Sequence, residues 1–184
     1  MLGRFHTVAA AALLGALGLM SVMAAKSGAA ASPLPIERNS PAPEFTGIDR
    51  WLNGAPLTMQ QLRGKVVLVD FWTYTCVNCI DTLPYVEGWY QKYKDQGLVV
   101  VGVHTPEYPI ERDAGKLGEA IKKYGLTYPV AQDNDYATWN AYGNQYWPAT
   151  YLIDKKGRVV YSHFGEGDYE VTEAAIRKQL AQAQ

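Results

Sequence analysis

The sequence contains few of the residues that hold metal ions or bind nucleic acids. It has only two cysteines, Cys76 and Cys79, and three histidines, of which His6 lies close to the N-terminus. A closed zinc site needs four ligands, so both cysteines would have to converge with His104 and His163. The 17 lysines and arginines are dispersed along the chain, and the formal net charge is -1. These shortages argue against a zinc site and against a nucleic-acid partner.

The N-terminal segment has the pattern of an export signal. Arg4 and His6 precede an uncharged run rich in alanine, leucine, glycine and methionine, and small residues follow at 22–25 and 29–31. This pattern is typical of a secretory signal peptide, although the run is also about long enough to anchor the chain in a bilayer. We predict a signal peptide or membrane anchor over residues 1–25, a proline-rich linker over 26–43 and one folded domain over 44–184. The domain is expected in the periplasm or otherwise outside the cytoplasm.

The folded part alternates strand and helix patterns. Two continuous apolar runs, Lys65–Trp72 and Leu98–Val103, predict strands that are buried on both faces of a sheet. The remaining patterns predict helices at 78–95, 114–124 and 172–184, a short strand at 128–131, a helical turn at 135–142, and a hairpin of 150–154 with 158–164. This order is that of an α/β protein. With 48% hydrophobic residues, the chain can form one globular domain of ordinary core size plus a tail.

Cys76 and Cys79 form a C-x-x-C pair directly after the first apolar strand. A structural disulfide usually joins distant segments, whereas this short loop can open and close by exchange with the disulfide of another protein. Cys76 is expected at the N-terminus of the next helix, where free N–H groups and the helix dipole favour a thiolate. We predict that Cys76 is the nucleophile. Cys79, one turn later and more buried, would resolve the mixed disulfide.

Asp70 is an unusual residue for its position, because it interrupts an apolar strand six residues before Cys76. A buried carboxyl group is costly unless it serves a purpose, and burial raises its pKa. Asp70 is therefore a candidate general acid/base for Cys79, acting through a water. The alternative is a residue at a frayed strand end that bonds to the backbone.

These motifs together resemble the thioredoxin-like redoxin family, in particular the exported TlpA/ResA-type thiol:disulfide oxidoreductases and the thioredoxin-like domain of DipZ. The resemblance covers roughly Pro41 to the C-terminus. Its landmarks are Val-Asp-Phe-Trp at 69–72, the C-x-x-C motif at 76–79, Pro84, Trp-Pro-Ala-Thr at 147–150, and the strings at 102–107 and 164–169. It implies a thioredoxin fold, which is a central mixed sheet flanked by helices, here with an N-terminal extension.

The resemblance also implies roles for individual residues. Asp70 matches the buried aspartate of thioredoxin, and Pro148 is expected to be cis and to lie against the active-site disulfide. The residues expected to contact a client protein are Trp72, Trp147, Pro148 and Ala149, and those expected near the site are Tyr74, His104 and Glu166. The Val-Asn dipeptide between the cysteines departs from the Gly-Pro of thioredoxin, so the reduction potential does not follow from the resemblance.

The function that the resemblance implies is an exported reductase of protein disulfides. Because the sequence shows no membrane transporter domain, electrons would come from a separate membrane donor of the DsbD or CcdA type. The clients are disulfide proteins, among which the C-x-x-C-H sites of cytochrome c maturation are one possibility. We expect a monomer with no metal and no cofactor beyond the redox-active disulfide.

Two other functions fit parts of the pattern. Thr73 stands three residues before Cys76, as in a peroxiredoxin-like peroxidase, but Val69 occupies the place of the accompanying proline. A copper or haem-assembly chaperone would instead hold a metal on Cys76, Cys79 and His104. Peroxide consumption and metal analysis of the reduced protein distinguish these alternatives from the reductase.

Overall fold

A computed structural model describes Gly3 and residues 38–183 of the chain. The predicted signal peptide or anchor at 1–25 and most of the predicted linker therefore lie outside the described residues. None of the helices in the described ranges is long and apolar enough to cross a membrane.

The described domain contains six strands, four α-helices and two short 3-10 helices. In chain order they are β1 (Arg50–Leu52), β2 (Val66–Trp72), α1 (Val77–Tyr93), a 3-10 helix (Lys94–Gln96), β3 (Leu98–His104), a second 3-10 helix (Pro109–Arg112), α2 (Ala114–Lys123), β4 (Val130–Gln132), α3 (Ala137–Ala141), β5 (Ala149–Ile153), β6 (Val159–Phe164) and α4 (Tyr169–Leu180). The order alternates strands and helices as the sequence predicts.

The strands form one mixed sheet in the order β1-β4-β3-β2-β5-β6. The pairs β2–β3 and β3–β4 are parallel, while β1, β5 and β6 pair with their neighbours in the antiparallel direction. All seven residues of β2 are buried, because the strand has neighbours on both edges and packed side chains on both faces. The predicted mixed sheet flanked by helices is confirmed.

The two faces of β2 contribute to two different hydrophobic clusters. Side chains alternate between the faces of a strand, so Val66, Leu68 and Trp72 join the cluster that contains Cys79 of α1. Val67, Val69 and Phe71 join the opposite cluster, together with Trp139 of α3. Asp70 has the parity of Leu68 and Trp72, which places it on the face that α1 covers.

The described part of the predicted linker is attached to the domain. The backbone N–H groups of Asn39 and Ala42 donate to the carbonyls of Val159 and Gly157 at 2.7 and 2.9 Å. Pro41 forms an isolated antiparallel bridge with Arg158. Residues 38–43 therefore run beside the start of β6, whereas the proline pattern alone predicts an extended linker up to residue 43.

Candidate active site

The two cysteines form a disulfide at the N-terminus of α1. Cys76 is the N-cap residue, with extended backbone angles of φ -75° and ψ 114°, and its Sγ accepts a hydrogen bond from the N–H of Cys79 at 3.2 Å. Cys76 is half-buried and Cys79 is fully buried. Only the first sulfur is therefore placed for attack by, or on, another protein.

Local sequence explains why α1 begins at this point. The backbone turns from β2 through residues 73–75 into Val77, and the carbonyl of Cys76 accepts from Ile80 N–H at 3.0 Å. The first turn of α1 contains no acidic residue. The helix dipole at Cys76 is therefore not offset by a carboxylate of the helix itself, which favours a thiolate in the reduced form.

Asp70 lies in the centre of the sheet and is 1% exposed. Neither of its carboxylate oxygens has a hydrogen-bond partner among the described residues. Burial raises the pKa of Asp70 from 3.8 to about 7. The alternative of a frayed strand end bonded to backbone does not fit this position, because Asp70 pairs with Gly102 of β3 on one side and Thr150 of β5 on the other.

Three of the other unpartnered polar groups in the described domain belong to Thr150, which pairs with Asp70, and to Trp72 and Tyr128, which both lie beside Gly102, the other partner of Asp70. They are the indole Nε1 of Trp72, the hydroxyl of Tyr128 and the hydroxyl of Thr150. The pKa of Tyr128 is raised well above 10, first by burial and then by the negative charge of Asp70, which places the phenol close to the carboxyl. Sequence reasoning missed Tyr128, because its proximity to Asp70 arises only when the chain before β4 returns to the sheet.

Glu111 is a second buried carboxyl group near the site that sequence reasoning missed. It lies in the 3-10 helix after β3 and is 0% exposed. One of its oxygens accepts from the N–H and the hydroxyl of Thr75, the residue before Cys76, at 3.3 and 2.5 Å. The other oxygen accepts from the N–H groups of Glu107 and Tyr108 at 2.6 and 2.8 Å. The segment that carries the nucleophile is thus bonded to the loop that follows β3.

His104 is the last residue of β3, one residue beyond the predicted strand Leu98–Val103, and it is fully buried. Its ring stacks on Tyr74 at 5.4 Å between centroids and contacts the edge of Trp72 at 5.3 Å. Its Nε2 lies 3.3 Å from the hydroxyl of Thr73. Burial lowers the pKa of His104 to about 4, so the imidazole is neutral at neutral pH.

The Trp147–Pro148 peptide bond is cis, which confirms that prediction. Pro148 is buried, and its carbonyl accepts from the N–H of Gly165 at 2.8 Å. The indole of Trp147 donates to the carbonyl of Thr105 at 3.0 Å and packs against Trp139 with centroids 4.1 Å apart. The side chain of Trp147 is thus held in place, although part of it remains exposed.

The other predicted contact residues differ in their exposure. Trp72 is 0% and Ala149 is 1% exposed, so both side chains belong to the core and offer no surface to a client, contrary to expectation. Tyr74 is half-buried and donates to the carbonyl of Ile110 at 2.8 Å. Glu166 is exposed in the loop after β6, next to the glycine that bonds to Pro148.

The arrangement gives no specific support to the two alternative functions. Within residues 38–183, no group of three His, Cys, Asp or Glu side chains is placed to hold a metal ion. The Nε2 of His104 faces Thr73 and lies within hydrogen-bond distance of its hydroxyl. The threonine of the peroxidase-like pattern is therefore engaged away from Cys76.

Comparisons with family models and with known proteins identify the same kind of protein. The Redoxin family model matches residues 37–180. Protein DipZ of Mycobacterium tuberculosis is 52% identical over 151 residues, which are 80% of this chain but 22% of DipZ. The thiol-disulfide oxidoreductase YkuV of Bacillus subtilis is 37% identical over 145 residues, which are 78% of this chain and 97% of YkuV.

A solved structure shows the same fold. The solution structure of a thioredoxin-like protein in the oxidised form superposes with a TM-score of 0.72 at 36% identity, covering 80% of this chain and 98% of that one. This chain spans about a fifth of the length of DipZ, so it corresponds to one part of that protein. The fold, the C-x-x-C disulfide at the start of α1 and the match over residues 37–180 agree, and the chain belongs to the Redoxin family.

Proposed function

We propose that the protein is an exported thiol:disulfide oxidoreductase that works as a reductase of protein disulfides. The observation that carries the proposal is the asymmetry of the disulfide. Cys76 is half-buried at the N-cap of α1, whereas Cys79 is fully buried on the face of the sheet that holds Asp70. One sulfur is accessible to a partner, and the other can react only within the protein.

The reaction follows from this asymmetry. In the reduced protein, the Cys76 thiolate attacks a client disulfide, forms a mixed disulfide and releases one client sulfur as a thiolate. Cys79 then loses its proton and attacks Cys76 Sγ, which releases the second client sulfur and closes the Cys76–Cys79 disulfide. Two electrons pass to the client, which ends with two thiols. The second step is intramolecular and therefore faster than loss of the bound client.

Asp70 is the proposed proton acceptor for Cys79. A carboxyl group with a pKa of about 7 is partly ionised at neutral pH, so it can both take and return a proton. Its oxygens are free of competing hydrogen bonds from the described residues. The unpartnered hydroxyls of Tyr128 and Thr150 mark polar space beside it where a water can bridge Asp70 and Cys79.

The source of the electrons and the cellular location are the remaining parts of the proposed function. Electrons are supplied by a membrane donor of the DsbD or CcdA type, and the protein acts as a monomer outside the cytoplasm. The signal-like pattern of residues 1–25 supports export. The similarity to DipZ and to a thiol-disulfide oxidoreductase such as YkuV supports a disulfide substrate.

The order of attack is tested by trapping. Cys79→Ser is expected to accumulate mixed disulfides with client proteins, because the nucleophile remains and the resolving thiol is lost. The matched control is Cys76→Ser, which should trap none. The two variants are compared on non-reducing gels of extracts from cells that express them. Equal trapping by both, or trapping by Cys76→Ser alone, contradicts the assignment.

Export is tested on the protein from its native host. Mass spectrometry is expected to show a mature chain that starts between Ala25 and Ser32. An intact Met1 in the membrane fraction would show the anchor instead, and an intact Met1 in the cytoplasmic fraction would refute export.

A further inference from the structure

Glu111 binds Thr75, the residue before the nucleophile, although it is 35 positions away from Cys76 in the sequence. Its side chain is completely buried, and its two oxygens accept four hydrogen bonds. Two come from Thr75 and two from the N–H groups of Glu107 and Tyr108. The Thr75 contacts are the important ones, because Thr75 leads directly into the N-cap of α1.

The hydrogen bonds keep Glu111 ionised. Burial by itself would raise the pKa of Glu111, but the bonds from Thr73, Thr75, Tyr108 and Glu107 outweigh it, and the pKa lies below its usual value. Glu111 therefore carries a full negative charge at neutral pH.

Glu111 forms no ion pair with a cation among the described residues. The ion pairs that lysine and arginine side chains make within residues 38–183 join Lys92 to Glu173 and Arg112 to Asp135. The titratable groups that face Glu111 from the neighbouring elements include the phenols of Tyr74 and Tyr136 and the imidazole of His104. With its pKa near 4, His104 is neutral at neutral pH.

We propose that Glu111 is a positioning residue that fixes Thr75 and, through its unpaired negative charge, destabilises the Cys76 thiolate. The dithiol is thereby a stronger reductant. A like charge nearby disfavours the thiolate, in opposition to the dipole of α1. The reduced form of the protein is then less stable relative to the disulfide, and its electrons are given up more readily. The inference deepens the proposed reductase function and rests on it for its biological meaning.

The principal variant is Glu111→Gln, which removes the charge and keeps the size. The amide oxygen can still accept from Glu107 and Tyr108, and the amide nitrogen can donate to the hydroxyl of Thr75. The contact that is lost, to Thr75 N–H, is the longest of the four measured, at 3.3 Å. The matched control is Asp113→Asn, which removes a charge at an exposed position two residues away and keeps a good N-cap for α2.

Two measurements on the purified protein test the charge. The ionisation of Cys76 is followed by thiolate absorbance against pH in a Cys79→Ser background. The redox equilibrium with dithiothreitol is measured with both cysteines present. In this reaction the protein disulfide and reduced dithiothreitol form the protein dithiol and oxidised dithiothreitol, so that two electrons and two protons are exchanged. Glu111→Gln should raise the acid dissociation constant of Cys76 about tenfold. The equilibrium should shift about tenfold towards the protein dithiol, which corresponds to about 30 mV. Asp113→Asn should change neither quantity by more than about twofold.

Two further variants separate the charge from the hydrogen bonds. Thr75→Val removes the 2.5 Å bond and retains the charge, and Glu111→Asp retains the charge on a shorter side chain. In both variants the ionisation of Cys76 should stay within about twofold of the unmodified protein. If Glu111→Gln does not fold, a tenfold shift in either of these variants still refutes the role of the charge.

The inference is wrong if a folded Glu111→Gln leaves both quantities unchanged, or if Thr75→Val or Glu111→Asp shifts them about tenfold. Neither measurement uses a client protein. A protein that shows the shift but reduces no client disulfide would therefore refute the proposed function and leave the role of Glu111 intact.

Discussion

Replacing Asp70 by Asn should stabilise the oxidised protein, and more so as the pH rises. The two side chains have the same shape, but Asn cannot ionise. Burial makes the folded protein hold the Asp70 proton up to a pKa of about 7, whereas the same group in the unfolded chain releases it near 3.8. Because the folded state binds this proton more tightly, the stability it contributes is present below pH 4 and is lost as the pH rises towards 7.

The size of the effect follows from the difference between the two pKa values. One pKa unit corresponds to about 1.4 kcal/mol, so the shift from 3.8 to about 7 costs the folded protein about 4 kcal/mol once Asp70 is ionised. At about pH 5 only about 2 kcal/mol of this cost has appeared, and at about pH 8 nearly all of it has. The free energy of unfolding of Asp70→Asn, relative to the unmodified protein, should therefore rise by about 3 kcal/mol between these two conditions.

The assay is urea denaturation of the disulfide-bonded protein at both pH values. Taking the change between the two conditions removes the constant cost or gain of the buried amide, which is the same at each pH. Asp81→Asn is the matched control, since it makes the same replacement at an exposed position of α1. A difference for Asp70→Asn that stays constant within about 0.5 kcal/mol would show that Asp70 does not titrate near neutrality. The proposed transfer of its proton to and from Cys79 would then fail as well.

Other predictions concern the buried imidazole and the space around Asp70. As the pH falls from 6.5 to about 4, the unmodified protein should lose about 3 kcal/mol of stability, because His104 binds a proton in the unfolded chain but not in the folded one. His104→Phe keeps the ring contacts and should abolish this loss. Acid denaturation that is the same in both proteins would contradict the prediction. Gly102→Ala should cost about 1 to 3 kcal/mol in thermal or urea denaturation, because its Cβ would meet Trp72 Nε1 and Tyr128 Cε2, both at 3.0 Å. Gly118→Ala in α2 is the control, since the nearest atom is 3.8 Å away, and a gain of up to about 1 kcal/mol is expected. Equal effects of the two alanines would show that the space beside Asp70 is not tight.

The sequence determined the parts of this protein that depend on local order. The β-branched and apolar run before Cys76 predicts β2 to within one residue, and the C-x-x-C pair with Gly97 after the helix predicts α1 within a few residues of each end. The hairpin of β5 and β6 follows in the same way from a turn between two apolar segments. Periodicity and turn residues act over a few positions, so one sequence is enough to read them.

Tertiary structure alone decided which side chains surround the disulfide. β3 extends one residue beyond the predicted strand Leu98–Val103, because His104 pairs with Trp72 of β2 and Gln132 of β4. Trp72 is buried in the core and is not available to a client, because the sheet and α1 cover its side chain. Local sequence patterns do not predict these pairings, because the pairings depend on the strands that become neighbours in the folded sheet.

The roles of Glu111 and Tyr128 depend on the same kind of long-range placement. In the sequence, Glu111 is one carboxylate in a charged loop, and such residues are usually solvated. In the fold it is buried against Thr75, 36 positions away, and Tyr128 comes to lie beside Asp70 in the same manner. The sequence determined that two cysteines stand at the start of a helix. The packing of distant segments determined the charges and hydrogen bonds that surround them, because burial and electrostatic interaction depend on distance in space and not along the chain.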